Sequence, residues 1–302
     1  MNPEAAPPMP SRLAVIVTTF KPDGQFFARF AATRALCGLF VVVDNTPGGH
    51  RFDPVVNAGS LRIIQDGVNK GLGRALNLGI EAARHAGFEV VALFDQDSSP
   101  SEEFLRDMLD RLARARAGDV AQTVCVGPRH VDDSHPQPDP STLPAGAAAL
   151  QPVTCLATSG MMFPVASLQA DELFTEEFFL DFVDFDWCWR LGRRGWKFYR
   201  ALDVTMPHRL GLSQRRLFGL TYHVPAPYRH YFQFRDTLRL TLRPYVPLYS
   251  KLRLAGLLPL KALAYPFLLD RGLERAGWML RGIGDALRRV GGIGAAREKL
   301  SH

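Results

Sequence analysis

Two carboxylates two positions apart, Asp95 and Asp97, close the apolar run EVVALFDQD at 89–97. Acids at i and i+2 leave an extended run on the same side. Hard cations such as Mg2+ or Mn2+ take a few carboxylates together with phosphate oxygens. An Asp-rich turn can equally cap a helix, but Ser98 to Ser101 follow and can cap the next helix without DQD. A second cluster, FLDFVDFDWCWRLGRRGW at 179–196, sets Asp181, Asp184 and Asp186 among Phe182, Phe185, Trp187 and Trp189. Carboxylates in aromatic surroundings lose hydration, which raises their pKa and suits them to accept protons. A helix beginning near Asp184 puts Asp184, Trp187 and Leu191 on one face and lets Asp186 pair with Arg190. The plain alternative is a set of acids satisfying a helix N-terminus. In NKGLGRALNLG at 69–79 the glycines follow G-x-G-x-x-x-x-x-G, so the dinucleotide fingerprint G-x-G-x-x-G fails. Gly71 and Gly73 instead suit a tight turn into a helix whose N-terminus faces a ligand, with Asn69 and Asn77 as candidate contacts. His208 ends KFYRALDVTMPH, where a neutral imidazole can reach a metal. His130 and His135 also flank acids, but in a spacing that matches no standard ligand pattern.

These groups need elements to hold them. LAVIVTTF (13–20), LFVVVDN (39–45), LRIIQD (61–66) and EVVALFDQD (89–97) are short, β-branched runs of the kind buried on both faces of a parallel sheet. Helical patterns near 24–36, 71–86 and 101–117 separate or follow them. Strand–helix repetition at this pitch predicts an α/β domain with right-handed crossovers, which binds ligands at the carboxyl ends of its strands. That rule picks out Thr18, Thr19, Asp44, Asn45, Asp66 and the DQD acids. VCVGPRHV (124–131), VTCLATSGMMFP (153–164) and KFYRALDVTMPH (197–208) read as further strands. DDSHPQPDPSTLPAGAAALQP between the first two reads as a mobile loop and candidate lid.

The 302 residues divide into a Pro-rich leader at 1–11, a catalytic-type domain at 12–238 and a basic, amphipathic helical region at 239–302. The net charge is +6, yet residues 239–302 hold 12 basic residues against 4 acidic, so the whole surplus lies there. Basic residues interleaved with Leu, Tyr, Phe and Trp suit an anionic membrane surface, the body of the protein or a second subunit. They lack any nucleic-acid reading motif. No uncharged apolar stretch approaches the roughly 18 residues of a membrane span, and MNPEAAPPMPSR has no signal-peptide core. Cys37, Cys125, Cys155 and Cys188 form no CxxC pair and read as reduced thiols. A cytoplasmic location is the expectation, with the inner membrane face as a docking option.

Taken together, VIVTTF, VVVDN, NKGLGRALNLGI, LFDQDSSP, the TSG at 158–160, FLDFVDFDWCWRL and His208 resemble the glycosyltransferases of family 2, with the GT-A fold. The DQDS block and YRHYFQFRD at 228–236 are similar to those of bacterial rhamnosyltransferases that use dTDP-L-rhamnose. The resemblance covers residues 13 to about 240. It implies a Rossmann-like, mostly parallel sheet with flanking helices, and an inverting sugar transfer in cell-surface polysaccharide or O-antigen synthesis. It implies Asp184 as catalytic base. Thr18, Thr19, Asp44, Asn69, Gly71, Arg74, Asp95, Gln96, Ser159 and Gly160 would line the nucleotide-sugar site. Asp95, Asp97 and His208 would hold Mg2+ or Mn2+, and Asp186, Trp187 and Arg235 would lie on the acceptor side, towards a glycan or lipid-linked glycan. Asp186 stands where the family commonly has Glu, and Asp236 where Asn commonly follows Arg235. A UDP-sugar transferase and a non-catalytic nucleotide-sugar binder are the alternatives. A nucleotidyltransferase would need a basic, Gly-rich loop after the first strand, and VIVTTFKPDGQ offers one Lys and one Gly.

Overall fold

The computed structural model describes residues 12–52, 60–118, 123–131, 149–207, 214–217, 220–223 and 225–296. The leader at 1–11, the greater part of the candidate lid, and His208 lie outside the described residues.

Strand β1 (Leu13–Thr19) is nearly all Val, Ile, Leu and Thr and is buried on both faces, as a central strand must be. It lies between β2 (Leu39–Asp44) and β4 (Val90–Asp95), parallel to both, with β3 (Leu61–Gln65) parallel outside β2. The register sets Thr19 opposite Asp44 and Thr18 opposite Asp95. The carboxyl ends of three strands therefore meet at one edge. Between the strands lie two short helices, α1 (Phe26–Arg29) and α2 (Ala31–Leu36), and then α3 (Leu72–His85). Helix α4 (Glu102–Ala117) follows β4, and Ser101 caps it by accepting the Phe104 amide at 3.0 Å.

Beyond β4 the sheet changes character. Strands β5 (Val124–Val131), β6 (Leu150–Val153), β7 (Met162–Pro164) and β8 (Lys197–Pro207) complete the order β3-β2-β1-β4-β7-β5-β8-β6. Strand β7 runs antiparallel to β4 and β5, and β6 antiparallel to β8. The sheet is α/β and mixed, with a parallel half carrying the strand ends of interest. The run 153–164 is not one strand. Residues 154–161 leave the sheet, and the chain returns at Met162 after Gly160, whose φ of +84° only glycine adopts easily. The end of the candidate lid is likewise ordered as β6, an edge strand that tolerates Pro152 because one side needs no partner.

Alternate residues of β1 enter two cores. Ala14 and Ile16 meet α3 and the aromatic group of Phe163, Trp187 and Trp196, whereas Val15 and Val17 meet Phe30, Phe40 and the Phe104–Met108 face of α4. Helix α5 (Val183–Gly192) enters the first core through Trp187, Cys188 and Leu191. A two-stranded ribbon, β9 (Gln214–Leu217) and β10 (Leu220–His223), precedes three helices: α6 (Arg229–Thr241), α7 (Leu248–Leu268) and α8 (Gly272–Leu287). The boundary expected after residue 238 cuts α6. That helix packs on both α7 and α8, so it belongs with them.

Candidate active site

A cavity of about 800 Å3 opens where the β1 and β4 ends face the start of α5 and the side of α6 and α7. The β1 edge supplies Thr18, Thr19 and Phe20, and the β4 end supplies Asp95, Gln96 and Asp97. Gln96 bridges the two edges: its side-chain carbonyl accepts the Phe20 amide at 2.7 Å, and its NH2 donates to the Phe20 carbonyl at 3.2 Å. It is thus fixed by backbone rather than free to swing. Ser159 accepts the Asp95 amide at 3.2 Å and pairs with the Ser98 hydroxyl at 2.8 Å, which ties the 154–161 loop to the DQD turn.

The entry to α3 forms the next wall. Asn69 holds the Gly71 amide at 3.0 Å, while Asn45 accepts the Lys70 amide and donates to the Gly71 carbonyl at 3.1 Å. Gly71 has φ +85°, and a Cβ there would lie 2.7 Å from the Phe179 carbonyl oxygen and ring. The Leu72 amide donates to that same carbonyl at 2.8 Å, so the first free N–H of α3 is taken up by the protein. Asn77, a candidate contact, is buried away from the cavity and exchanges bonds with the Phe174 backbone at 2.8 and 2.9 Å.

Asp184 reaches the cavity from the first turn of α5. The residue before that helix, Phe182, sits in the left-handed region at φ +66°, a costly conformation for a bulky side chain and one that clusters at functional sites. Burial pushes the Asp184 carboxyl up to about 6, partly opposed by the Phe185 amide, which donates to it at 2.9 Å. Burial also raises Asp95, to about 7, and the charges of Asp97 and Asp184 push the same way. Asp95, Asp97 and Asp184 thus share one cavity. Such a donor set suits a cation: two carboxylate groups, Asp95 and Asp97, with remaining positions left to phosphate and water. Among the described residues no three His, Cys, Asp or Glu side chains gather closely enough to form a complete metal cage.

Several residues expected at the site lie elsewhere. Asp44 sits behind the wall, its carboxylate filled by the hydroxyls of Thr19 (2.8 Å) and Thr46 (2.7 Å) and the His50 amide (3.1 Å). Its role is to hold the strand-end loop. Arg74 points from α3 to Glu176 at 3.0 Å, outside the cavity. Gly160 makes the turn, backed by Pro128 and Met206, and the residues before it, Ala157, Thr158 and Ser159, line the space. None of the three acceptor-side residues reaches it. Asp186 is fully buried, accepting from Thr175 at 2.6 Å and from the Tyr245 hydroxyl, with Arg190 at 3.7 Å. Trp187 stacks on Phe174 and donates its indole N–H to the Glu172 carbonyl at 2.9 Å. It shares the core with Leu191 while Asp184 turns outward, so the three do not share one working face. Arg235 is fully buried against Asp236, at 2.6 Å, and the Gly292 carbonyl. Asp236 is itself fully buried in this pair.

In their place the cavity receives Asp181 and Arg229, paired at 2.6 Å, together with Gln233, Thr237 and Lys261. The second oxygen of Asp181 is buried without a partner. Arg229, Gln233 and Thr237 recur every fourth residue along α6, a period readable in the sequence once 229–241 is taken as helix. Lys261 comes from α7, and burial lowers its ammonium pKa against the pull of Asp181.

Residues 42–170 match the family model for glycosyl transferase family 2. The chain is also similar to the dTDP-rhamnosyl transferase RfbF of Shigella flexneri. The two are 25% identical over 257 residues, covering 81% of this chain and 85% of that protein.

Proposed function

We propose that the chain, whose residues 42–170 match glycosyl transferase family 2, is a glycosyltransferase that transfers L-rhamnose from dTDP-L-rhamnose with inversion. The acceptor would be a hydroxyl of a glycan or lipid-linked glycan. The observation that carries the mechanism is the placement of Asp184: a carboxyl raised to about 6, in the same cavity as Asp95 and Asp97. The donor reading leans on the similarity to the Shigella rhamnosyl transferase.

In this reading the nucleoside diphosphate lies along the β1 and β4 ends and the reacting sugar points towards α5. Asp184 takes the proton of the acceptor hydroxyl. That oxygen attacks the anomeric carbon from the face opposite the diphosphate, and the bond from that carbon to the phosphate oxygen breaks. A well-placed general base contributes about 10²–10⁴-fold. Asp95 and Asp97 would hold a divalent ion, which supplies positive charge to the departing diphosphate. His208, the third expected ligand, lies outside the described residues. Arg229 and Gln233, facing the cavity from α6, would orient the acceptor in place of Asp186, Trp187 and Arg235.

Calorimetric titration with dTDP and with UDP, in Mg2+ or Mn2+ and then in chelator, tests this directly. Metal-dependent binding that prefers dTDP is the expected outcome. Preference for UDP would retain the transferase and discard rhamnose. Binding of neither nucleotide would count against the dTDP-sugar and UDP-sugar readings alike.

A further inference from the structure

Helix α7 is apolar around most of its circumference, yet it has no buried residue. At the helical period of about 3.6 residues, Leu254, Leu257, Leu258 and Lys261 share the side that lines the cavity. The other side carries Leu252 (66% exposed), Leu263 (70%) and Phe267 (86%), and nothing in the described chain covers it. Helix α8 repeats the pattern. It buries Trp278, Met279 and Gly282 but leaves Leu273 (91%) and Leu280 (69%) seven residues apart in solvent. A helix apolar on all sides normally has protein or lipid around it. No helix among the described residues is long and apolar enough to cross a membrane, so the uncovered side can lie on a bilayer but not span one.

We infer that the outward side of α7, with that of α8, docks on an anionic membrane surface, with the opposite side of α7 forming a wall of the cavity. Charge selects this occupant over a second copy of the chain. From Leu248 to Leu269 there is no Asp or Glu, and Lys251 and Arg253 flank the apolar side. On α8 Arg281 follows Leu280, and just past the helix end Arg288 follows Leu287. The one acid there beside an exposed leucine, Glu274 after Leu273, is paired with Arg271 at 2.5 Å. Two such basic faces would repel each other, whereas anionic headgroups attract them while the leucines enter the acyl boundary. The docking surface goes beyond the donor assignment and is independent of it. It would bring the cavity to where amphiphilic acceptors reside.

The test is co-sedimentation of the full chain with vesicles of phosphatidylcholine alone and of phosphatidylcholine with phosphatidylglycerol. Binding to the anionic vesicles that weakens with salt is expected. The variant L252S/L263S/F267S, altered only at exposed positions outside the cavity, should lose at least about tenfold in partitioning while dTDP binding by calorimetry is retained. The charge variant R253E/R288E should lose the preference for anionic vesicles, and it tests the idea independently should the triple variant fold poorly. Absence of vesicle binding by the unaltered chain, or equal binding by it and the triple variant, would overturn the inference. So would a stable dimer in aqueous buffer that the triple variant dissociates. Failure of nucleotide binding with vesicle binding intact would count against the transferase reading alone.

Discussion

To act as the proposed base Asp184 must be ionised, and burial moves that ionisation to about 6. The acid limb of kcat/KM is therefore expected near pH 6, with activity rising as pH increases through it. Asp184→Asn removes the limb together with about 10²–10⁴-fold of kcat, while nucleotide affinity by calorimetry stays within a few-fold. Asp95 has the cation-holding part in the proposed reaction, and burial moves its carboxyl too. Its carboxyl rises from 3.8 to about 7 on folding, so the stability linked to its neutral form is complete below pH 3.8 and is lost as pH rises through about 7. Asp95→Asn should then raise the melting temperature of the ligand-free protein by a few degrees at pH 8 and leave it unchanged at pH 4. An equal shift at both pH values would contradict the burial argument. These acids were legible from spacing alone, because both stand where an apolar run or helix entry stops. Their division into a base and cation-holding acids rests on the resemblance, since spacing alone does not say which acids share a space.

At the scale of elements, α6 shows how one helix can mislead a linear reading. Arg235 is part of the aromatic–Arg block, but its angular position sends it to the interior, where it pairs with Asp236 and bonds the Gly292 and Glu177 carbonyls. Removing one member of a buried pair strands the other, at a cost of about 3–5 kcal/mol. Arg235→Ala should show that loss in urea denaturation, with KM for both substrates unchanged in the folded fraction. A raised acceptor KM at unaltered stability would restore Arg235 to the site. Helix α3 makes the complementary point. Gly71→Ala forces a positive φ on alanine and drives its Cβ into Phe179, so it should cost about 1–3 kcal/mol and disturb the wall next to Asp184. The glycines were readable as a helix entry, whereas Phe179 as the group that fills that entry lies more than 100 residues away in the sequence.

Across the whole molecule, one cavity is assembled from two bodies of structure: the strand ends of the sheet and the α6–α7 side of the helical region. A ligand bridging them should stabilise both. A nucleotide held at 100 times its dissociation constant adds about 2.7 kcal/mol. dTDP with Mg2+ is accordingly expected to raise the melting temperature in a single transition, and chelator to abolish the gain. Two transitions, only one of them moved by ligand, would show that the helical region does not contribute to the site. The same arrangement gives α7 its divided character, with a cavity side and an outward apolar side that nothing among the described residues covers.

The four parallel strands, the entry to α3 and the acids at the strand ends followed from the sequence, because they depend on local patterns: β-branched runs, a period of 3.6 and residues at the point where a run stops. Burial of Asp186, Trp187 and Arg235, the retreat of Asp44 and Gly160 behind the wall, and the arrival of Arg229, Gln233 and Lys261 were decided by tertiary structure. Whether a polar side chain faces a cavity or a buried partner depends on the angle at which its helix meets others. The groups that set that angle, such as Tyr245 for Asp186 and Gly292 for Arg235, are distant in sequence. Local patterning fixes which elements form and where they end, but the free energy of placing a charge depends on everything packed around it.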